Sequence, residues 1–383
     1  MSQLSRSVGC WARIALFGVA VAGFSPTLVA QFVDADHYLT SRPENLSWGW
    51  IPMNKEPVLT ITSGDTVRID TLSHHGSTQD EDPVEFLGGF GVERDEILQD
   101  VIDFWSSRPN RPREGRTGAH VLTGPIEIEG AEPGDTLEIQ ILEVSTRVPY
   151  GFNNANARSG VLGDSYPGAR EGDLGADISD SARTLIRTTI ANGREYAMLG
   201  DLRIPLAPFM GIMAVAPRDP EVGQPGVTVA GVQSSRPPGD FGGNLDIKVL
   251  TAGATLYLPV FQTGAHFYTG DPHGVQGDGE VSGTALEHSL TGVFRFVLHK
   301  GNAPSAPRAE TPTHYLTVGI DVDLDRAMRK AVLEAVEFLV AEKGLTPKEA
   351  FTLASLSVDF TVAEAVNLTQ VVAASIPKSL FVD

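Results

Sequence analysis

The sequence is almost free of cysteine, and its single cysteine, Cys10, lies within the first thirty residues. A chain with one cysteine cannot form an intrachain disulfide. If the segment that contains Cys10 is removed, the remaining chain also lacks a thiol nucleophile. Cysteine-dependent hydrolases of the nitrilase type are therefore excluded as a class.

Basic residues are also scarce, with 29 Lys and Arg against 48 Asp and Glu and a net charge of −19. Proteins bind nucleic acid backbones mainly through Lys and Arg, so no nucleic acid partner is expected. An acidic surface also repels anions, which favours a neutral substrate over an anionic one.

Several common catalytic signatures are missing from the sequence. It contains no G-x-S-x-G elbow of an α/β-hydrolase, no Walker sequence and no H-E-x-x-H zinc motif. Ser234 and Ser235 are adjacent, but Arg236 follows them and no lysine partner is placed for them. A Ser-Ser-Lys amidase is therefore not expected either.

Residues 1–30 contain no acidic residue and have the layout of a secretory signal. Arg6 and Arg13 precede an apolar stretch at 14–24, and the small residue Ala30 stands at the end. That stretch is shorter than the ~20 residues of a membrane-spanning helix, although an uncleaved anchor remains the alternative. We expect a cleaved signal peptide, a periplasmic or secreted protein, and no membrane contact after cleavage.

A local pattern, Gly-x-Thr followed by alternating apolar residues, occurs three times, beginning at Gly64, Gly134 and Gly253. In each case the glycine permits a tight turn, and the alternation predicts a half-buried strand. The unequal spacing of the three segments argues against a solenoid. The pattern favours one structural unit used repeatedly in an antiparallel sandwich or barrel.

Helical periodicity is concentrated near the C-terminus, from Asp323 to Lys343, with Gly344 placed to end the helix. The apolar residues that keep three-to-four spacing, and so predict the buried face, are Leu324, Met328, Ala331, Val332, Ala335 and Leu339. Thr346, Pro347 and Glu349 form a capping box that opens a second helix. The fold class is therefore α+β, mainly β, with antiparallel sandwich or barrel-like units and a C-terminal helical layer. We divide the chain into a β-rich catalytic region at 31–320, with a long loop or insert at 145–180, and helices with a final strand at 321–383. Further short strands are predicted at 58–61, 126–128, 139–144, 212–216, 246–250 and 293–298.

A dense polar run, GDPHGVQGDGEV, occupies residues 270–281. Its glycines keep the backbone irregular and allow close approach to another group. Its carboxylates and imidazole suit a divalent ion such as Zn²⁺, or a general base beside a bound water. A structural metal loop and a plain solvated turn remain open as alternatives.

A second run, at 237–246, ends in Gly243, Asn244 and Asp246, and we expect Asp246 to begin a strand as a rigid carboxylate ligand. A Gly-Gly turn with Asx hydrogen bonds is the alternative. The pair His74-His75 and the separate His120 are further ligand candidates. Neighbouring residues on a strand point to opposite faces, so only one of the pair could bind a metal from there.

Several runs, in this order, resemble the acetamidase/formamidase family: residues 123–126, 130–135, 208–211, 214–217, 242–246, 256–260, 270–273 and 276–281. The helix at 327–335 and the strand at 357–359 are similar too, so the resemblance covers residues 58–381. It implies a β-rich fold with C-terminal helices, hydrolysis of short aliphatic amides to carboxylate and ammonia, a divalent metal and homo-oligomers. The predicted leader, the insert at 148–180 and the His74-His75 segment depart from the family's familiar cytoplasmic members.

The two polar runs and the resemblance to the family together lead us to assign candidate roles. The metal ligands are His273, Asp246 and His120; the catalytic residues are Glu280, Asn244 and Asp278; the substrate-binding residues are Gly243, Gln276 and Gly274. The metal is expected to be zinc, with calcium as a possible second, structural ion. The expected partners are a small amide substrate and further copies of the chain. The alternatives are an exported, non-catalytic small-ligand-binding protein, and a C–N hydrolase that acts on a cyclic imide or formyl-amine.

Overall fold

The computed structural model of the protein describes residues 33–108, 118–155, 160–163 and 182–381. The predicted signal peptide and most of the predicted insert at 145–180 lie outside the described residues. Within them, residues from Val33 onward form one compact unit. No helix of this described part is long and apolar enough to cross a membrane.

The described strands, numbered in chain order, are β1 His37–Leu39, β2 Leu46–Trp48, β3 Trp50–Ile51, β4 Leu59–Ile61, β5 Thr66–Asp70, β6 Val121–Ile128, β7 Thr136–Thr146, β8 Tyr150–Ala155, β9 Ala182–Ala191, β10 Arg194–Leu199, β11 Leu202–Pro205, β12 Phe209–Ala214, β13 Gln233–Ser234, β14 Gly242–Asn244, β15 Thr255–Pro259, β16 Phe267–His273, β17 Leu290–His299, β18 Arg308–Glu310, β19 His314–Asp321, β20 Asp359–Asn367 and β21 Thr369–Pro377. The described α-helices are α1 Pro83–Gly89, α2 Gln99–Ser107, α3 Leu324–Lys343 and α4 Pro347–Ser357.

Two large sheets form the body of the protein. The first has nine strands in the order β1-β5-β17-β7-β15-β18-β19-β21-β20, and the second has the order β14-β12-β16-β6-β2 with β4 also paired to β6. Only the β1–β5 and β4–β6 pairings are parallel among these described strands. A four-stranded sheet, β11-β10-β9-β8, and the pair β13–β3 complete the β-structure. The mainly β, antiparallel fold class is confirmed.

The repeated Gly-x-Thr pattern produces a repeated turn. Gly64, Gly134 and Gly253 all have positive φ, and in each case the residue after the glycine donates its N–H to a carbonyl three residues earlier. A turn with φ > 0 at its third position requires glycine there. The strands β5, β7 and β15 begin at the threonine of each pattern, and all three lie in the nine-stranded sheet.

The main core lies between the two large sheets. It joins residues such as Ile69, Ile139 and Phe294 of the first sheet to Leu122, Ile212 and Phe267 of the second. These side chains are at most 2% exposed, and alternation along each strand directs them to the shared interior. This packing holds β12, β14 and β16 rigidly, and these strands carry much of the candidate site.

The C-terminal helices begin and end where the sequence predicts. Asp323 caps α3 through the N–H of Arg326, Gly344 ends it in the left-handed conformation, and the Thr346 capping box opens α4. The buried face of α3 is narrower than predicted, however: Ala327, Ala331, Ala335 and Leu339 are buried, whereas Leu324 and Met328 are exposed. The predicted final strand is β20, and β21 follows it to form a hairpin.

Two predictions of local structure are wrong. Residues 246–250 form no strand: the segment is irregular, with Asp246 at a positive φ of 48° and a turn at 248–249. The segment that begins at residue 145 is not a loop throughout, because β7 continues to Thr146 and β8 pairs with β9.

Candidate metal centre and active site

The end of β16 supplies the centre of the site. Asp271 and His273 stand two residues apart near the end of β16, and both are buried. His273 Nε2 lies 3.4 Å from Asp271 Oδ2. Gly211 on β12 leaves room for them: a Cβ there would lie 2.9 Å from His273 Cε1 and would collide with the carboxylate of Asp246.

Two residues from distant parts of the sequence complete this group. Glu287 Oε1 lies 3.3 Å from His273 Nε2, and its other oxygen lies 3.4 Å from His74 Nδ1. His74 Nδ1 is also 3.9 Å from Asp271 Oδ1. Glu287 and Asp271 thus each present one oxygen toward His74 and the other toward His273.

Asp246 and Glu280 are also close to His273, Asp246 at Nδ1 and Glu280 at Nε2. Asp246 Oδ1 is 3.7 Å from His273 Nδ1, and Glu280 Oε1 is 3.9 Å from His273 Nε2. Asp246, Asp271 and Glu280 all have positive φ, between 46° and 50°. This conformation is uncommon for residues with a side chain, and it persists where the surrounding structure fixes it, often at functional sites.

Gln276 determines which nitrogen of His273 is free. The Gln276 amide nitrogen donates to the carbonyls of Asp246 and Ala363, at 2.8 and 3.2 Å. Its oxygen must therefore face His273 Nδ1, 3.0 Å away, and Nδ1 must carry the proton that it accepts. Nε2 of the neutral ring then keeps its lone pair, directed toward the carboxylates, as in many metal-binding histidines.

The C-terminal hairpin fixes Asp246. Asn367 at the end of β20 donates through Nδ2 to Asp246 Oδ2 at 2.6 Å. Glu364 accepts the backbone N–H groups of Val366 and Asn367, at 2.9 and 3.0 Å, and so holds this end of the hairpin. The site therefore includes residues from both ends of the described chain.

Five buried polar atoms of this cluster have no hydrogen-bond partner within the described residues. His74 Nδ1, Asp246 Oδ1, Asp271 Oδ1, His273 Nε2 and Glu287 Oε2 are all buried and unpaired. Such atoms are rare and costly. Two ligands held about 2.1 Å from a tetrahedral ion lie about 3.4 Å apart, which matches the observed separations of 3.3 and 3.4 Å. The residues therefore fit a divalent cation.

The electrostatics of the cluster also favour a cation. Burial raises the pKa values of Asp246 and Glu287 to about 7, and burial and then the Asp246 carboxylate raise that of Glu280. Burial lowers the pKa of His74. Burial opposes ionisation of His273 too, but the carboxylates of Glu287 and Asp271 raise its pKa. So many close carboxylates cannot all ionise without a compensating positive charge.

A cavity of about 280 Å³ opens onto this cluster. Its wall includes the carboxylates of Asp271, Glu280 and Glu287, together with Asn244 and Arg236. Asn244 is buried, and its Oδ1 has no hydrogen-bond partner in the part of the chain that the structure describes. A small ligand in this cavity would therefore contact both the cluster of carboxylates and histidines and the amide oxygen of Asn244.

The profile of the acetamidase/formamidase family matches residues 114–224 and 227–383, well over half of the chain. The chain belongs to the acetamidase/formamidase family. It is an amidase, an enzyme that acts on small linear amides.

Named relatives agree with this assignment. The amidase is 29% identical over 276 residues to a formamidase of Methylophilus methylotrophus, across 58% of this chain and 67% of that protein. It is 29% identical over 302 residues to an acetamidase of Mycolicibacterium smegmatis, across 62% and 73%. A crystal structure of an acetamidase from Bacillus halodurans matches it with a TM-score of 0.68 at 27% identity, covering 90% of this chain and 98% of that one.

The structure brings together most residues that the sequence pointed to. Asp246, His273, Glu280 and Asn244 lie in or beside the cluster of the amidase. His120 is at its edge, with Nε2 3.7 Å from Asp271 Oδ2 and Nδ1 3.0 Å from Ser235 Oγ.

Other predicted site residues lie elsewhere or have other contacts. Asp278 is 38% exposed and pairs with Lys248, so it does not fit a catalytic role. Gln276 contacts His273 rather than the cavity. The Gly274 N–H donates to Leu286, so it is not free for a substrate. Gly243 lies within β14, beside the ring of Phe241.

The cavity wall also contains four residues without a predicted role: Asp271, Glu287, Arg236 and Asn367. Asp271 belongs to the predicted polar run at 270–281, although no role was assigned to it. Glu287 and Asn367 could not be predicted, because an isolated bridge to His273 and a side-chain hydrogen bond to Asp246 bring them to the site, and no local pattern indicates either contact. Of the histidine pair, His74 is in the cluster, while His75 stacks on Phe152 at 5.6 Å.

Proposed function

We propose that this amidase hydrolyses a small primary amide to a carboxylate and ammonia at a divalent-metal centre. The observation that carries the proposal is the group of unpaired, buried ligand atoms on the wall of a small cavity. His273, Asp271, Glu287 and His74 would hold the ion, with Asp246 beside them. The mixture of imidazole and carboxylate ligands suits zinc.

A bound divalent ion would supply a Lewis acid that makes water more acidic near neutral pH. The protein's own side chains transfer the protons and orient the substrate. Glu280 lines the cavity and is placed to take a proton from the attacking water and to return one to the leaving nitrogen. Asn244 Oδ1 accepts an N–H of the amide and so orients the scissile bond. Water and amide are thereby converted to carboxylate and ammonium.

Glu280→Gln tests this role, because glutamine keeps the shape of the side chain but cannot accept the proton. Ammonia release from formamide, acetamide and propionamide should fall about 10²- to 10⁴-fold, with the melting temperature retained. The matched control is Asp278→Asn, which neutralises the exposed carboxylate two residues away and should leave the rate unchanged. Full activity of folded Glu280→Gln would remove Glu280 from the mechanism.

We further propose that the enzyme is exported and forms homo-oligomers. The signal-like composition of residues 1–30 supports export. Exposed Phe351 and Leu356 on α4, at 62% and 76%, support association. Cell fractionation with N-terminal sequencing tests the first proposal, and light scattering of the purified protein tests the second. A cytoplasmic protein that retains residue 1, or a monomer at high concentration, would contradict them.

A further inference from the structure

The cavity of the proposed amidase site is larger than formamide or acetamide requires. A water molecule occupies about 30 Å³ in the liquid, so 280 Å³ corresponds to roughly nine waters. A one- or two-carbon amide is comparable to a few waters and fills part of this space. The remaining wall can contact a second group of the substrate.

Arg236 is the one lysine or arginine among the described residues that line this cavity. It follows β13, and its guanidinium crosses to the C-terminal hairpin, where Nη2 donates to the Val366 carbonyl at 3.1 Å. It is partly buried. The protein as a whole is acidic, with a net charge of −19, so the positive charge of Arg236 distinguishes this cavity wall from the rest of the protein.

Among the described residues, only Val366 accepts a hydrogen bond from the guanidinium of Arg236. The hydrogen bond to Val366 engages one of its five N–H donors. Within the described part of the chain, no carboxylate forms an ion pair with it, although three carboxylates line the same cavity. The cation and the carboxylate cluster therefore occupy different parts of the wall.

Asn244, on the same wall, determines which chemical group the other end of the ligand must carry. Asn244 is 1% exposed, and its unpartnered Oδ1 can only accept a hydrogen bond. The ligand must therefore present an N–H there, as a primary amide does. A guanidinium with free donors is suited to bidentate binding of a carboxylate. The two groups together select a molecule with an amide at one end and an anion at the other.

We propose that the preferred substrate class is an ω-amido carboxylate, a primary amide whose far end carries a carboxylate bound by Arg236. This inference rests on the proposed amidase function and specifies its substrate. It reverses the expectation of a neutral substrate that the acidic composition suggests, because short-range contacts with a cavity cation outweigh the screened field of distant surface charges.

The test compares amides of matched length with the metal-loaded holoenzyme. Malonamate, succinamate and glutaramate are each paired with the neutral amide in which a methyl group replaces the carboxylate. At least one carboxylate member should exceed its neutral partner in kcat/KM. Arg236→Gln, which keeps an N–H donor for Val366, should lower kcat/KM for that carboxylate substrate on the order of 10- to 100-fold. Its effect on the neutral partner should be small.

Arg236→Lys should give an intermediate loss, because lysine keeps the charge but not the planar fork. Arg218→Gln is the matched control: it removes one positive charge from an exposed position, 72% accessible, and should change neither substrate. Equal losses for both substrates with Arg236→Gln would overturn the proposal, since Arg236 would then act on the reacting amide itself. The absence of any preference in the wild type would overturn it as well.

Calorimetric binding of succinate separates this inference from the proposed function. We expect succinate to bind the metal-loaded wild type and to bind Arg236→Gln at least tenfold more weakly. If no amide is hydrolysed but this difference is found, the amidase proposal fails and the carboxylate site stands. If neutral amides are hydrolysed and succinate binds both proteins equally, the carboxylate site fails and the amidase stands.

Discussion

At the scale of single residues, the candidate metal centre depends on an uncharged neighbour, Gln276. Two backbone carbonyls fix its amide nitrogen, so its oxygen faces His273 Nδ1 and leaves Nε2 free. Gln276→Leu removes this constraint while keeping similar volume. We expect metal affinity, measured by competition with a chelator, to fall roughly 10- to 100-fold.

The control for this variant is Asp278→Asn, because Asp278 is close in sequence but pairs with Lys248 away from the cluster. Its metal affinity should equal that of the wild type. Unchanged affinity in folded Gln276→Leu would show that the ring of His273 needs no such support.

Single residues also show which parts of the site could be predicted from the sequence and which could not. His273 and Glu280 could be predicted because a short polar run surrounded by glycine is visible locally. Glu287 could not, since an isolated antiparallel bridge joins it to His273 and no local sequence pattern indicates that bridge. Asp246 was predicted as a ligand at the start of a strand, yet it lies in an irregular segment with a positive φ. The residue type of Asp246 indicated the site, but its backbone conformation could not be predicted.

At the scale of elements, α3 approaches β19 closely because both surfaces are small. A Cβ at Gly319 would collide with the backbone of Ala327 and Ala331 on the helix. Backbone atoms cannot move aside as a flexible side chain can. Gly319→Ala should therefore lower the free energy of unfolding by about 1–3 kcal/mol, measured by urea denaturation.

Gly88→Ala is the matched substitution with the opposite expected sign. Gly88 lies inside α1, and a Cβ there meets no atom within 4 Å. Alanine is about 1 kcal/mol more favourable than glycine in a helix, so this variant should be slightly more stable. A neutral Gly319→Ala would mean that the helix can shift on the sheet.

The repeated turn before β7 gives a prediction about pH. Asp135 accepts hydrogen bonds from the Glu132 and Gly301 N–H groups at 2.8 Å and from Lys300 at 2.6 Å. Burial works to raise the pKa of Asp135, but these donors prevail and lower it below 3.8. The carboxylate therefore adds stability above its unfolded pKa, and this is lost as the pH falls through the folded value.

Asp135→Asn should accordingly be less stable than the wild type at neutral pH, with the difference shrinking below about pH 4. Urea denaturation across the acid range measures the difference. Asp201→Asn, at an exposed turn position, is the control and should follow the wild type throughout. A difference that stays constant down to pH 2 would show that the ionised carboxylate is not the stabilising form.

Elements were the most predictable level of this fold. The strands β5, β7 and β15 and the ends of α3 and α4 follow from glycine, threonine and capping residues, whose effects are local. The helices α1 and α2 and the sheet β8–β11 were not predicted, because their short segments carry weak periodicity. The exposure of Leu324 and Met328 was missed because β19 and β21, rather than periodicity, determine which face of α3 is buried.

At the scale of the whole molecule, the fold assembles one centre from His74 near one end of the described chain to Asn367 near the other. The packing of the two large sheets holds β12, β14 and β16 in place, and β20, at the edge of the nine-stranded sheet, fixes Asp246 through Asn367. The ligand atoms of this centre that lack hydrogen-bond partners are buried. Folding therefore carries the free-energy cost of removing them from water, whether or not a bound ligand compensates it. A bound cation is the simplest compensation that this set of atoms allows.

The most direct measurement is anomalous diffraction from crystals of the protein prepared with an excess of zinc. The account predicts an anomalous peak inside the cluster, about 2.0–2.6 Å from His273 Nε2 and from carboxylate oxygens of Asp271 and Glu287. Peaks confined to surface residues, with the cluster side chains hydrogen-bonded to one another or to water, would contradict it.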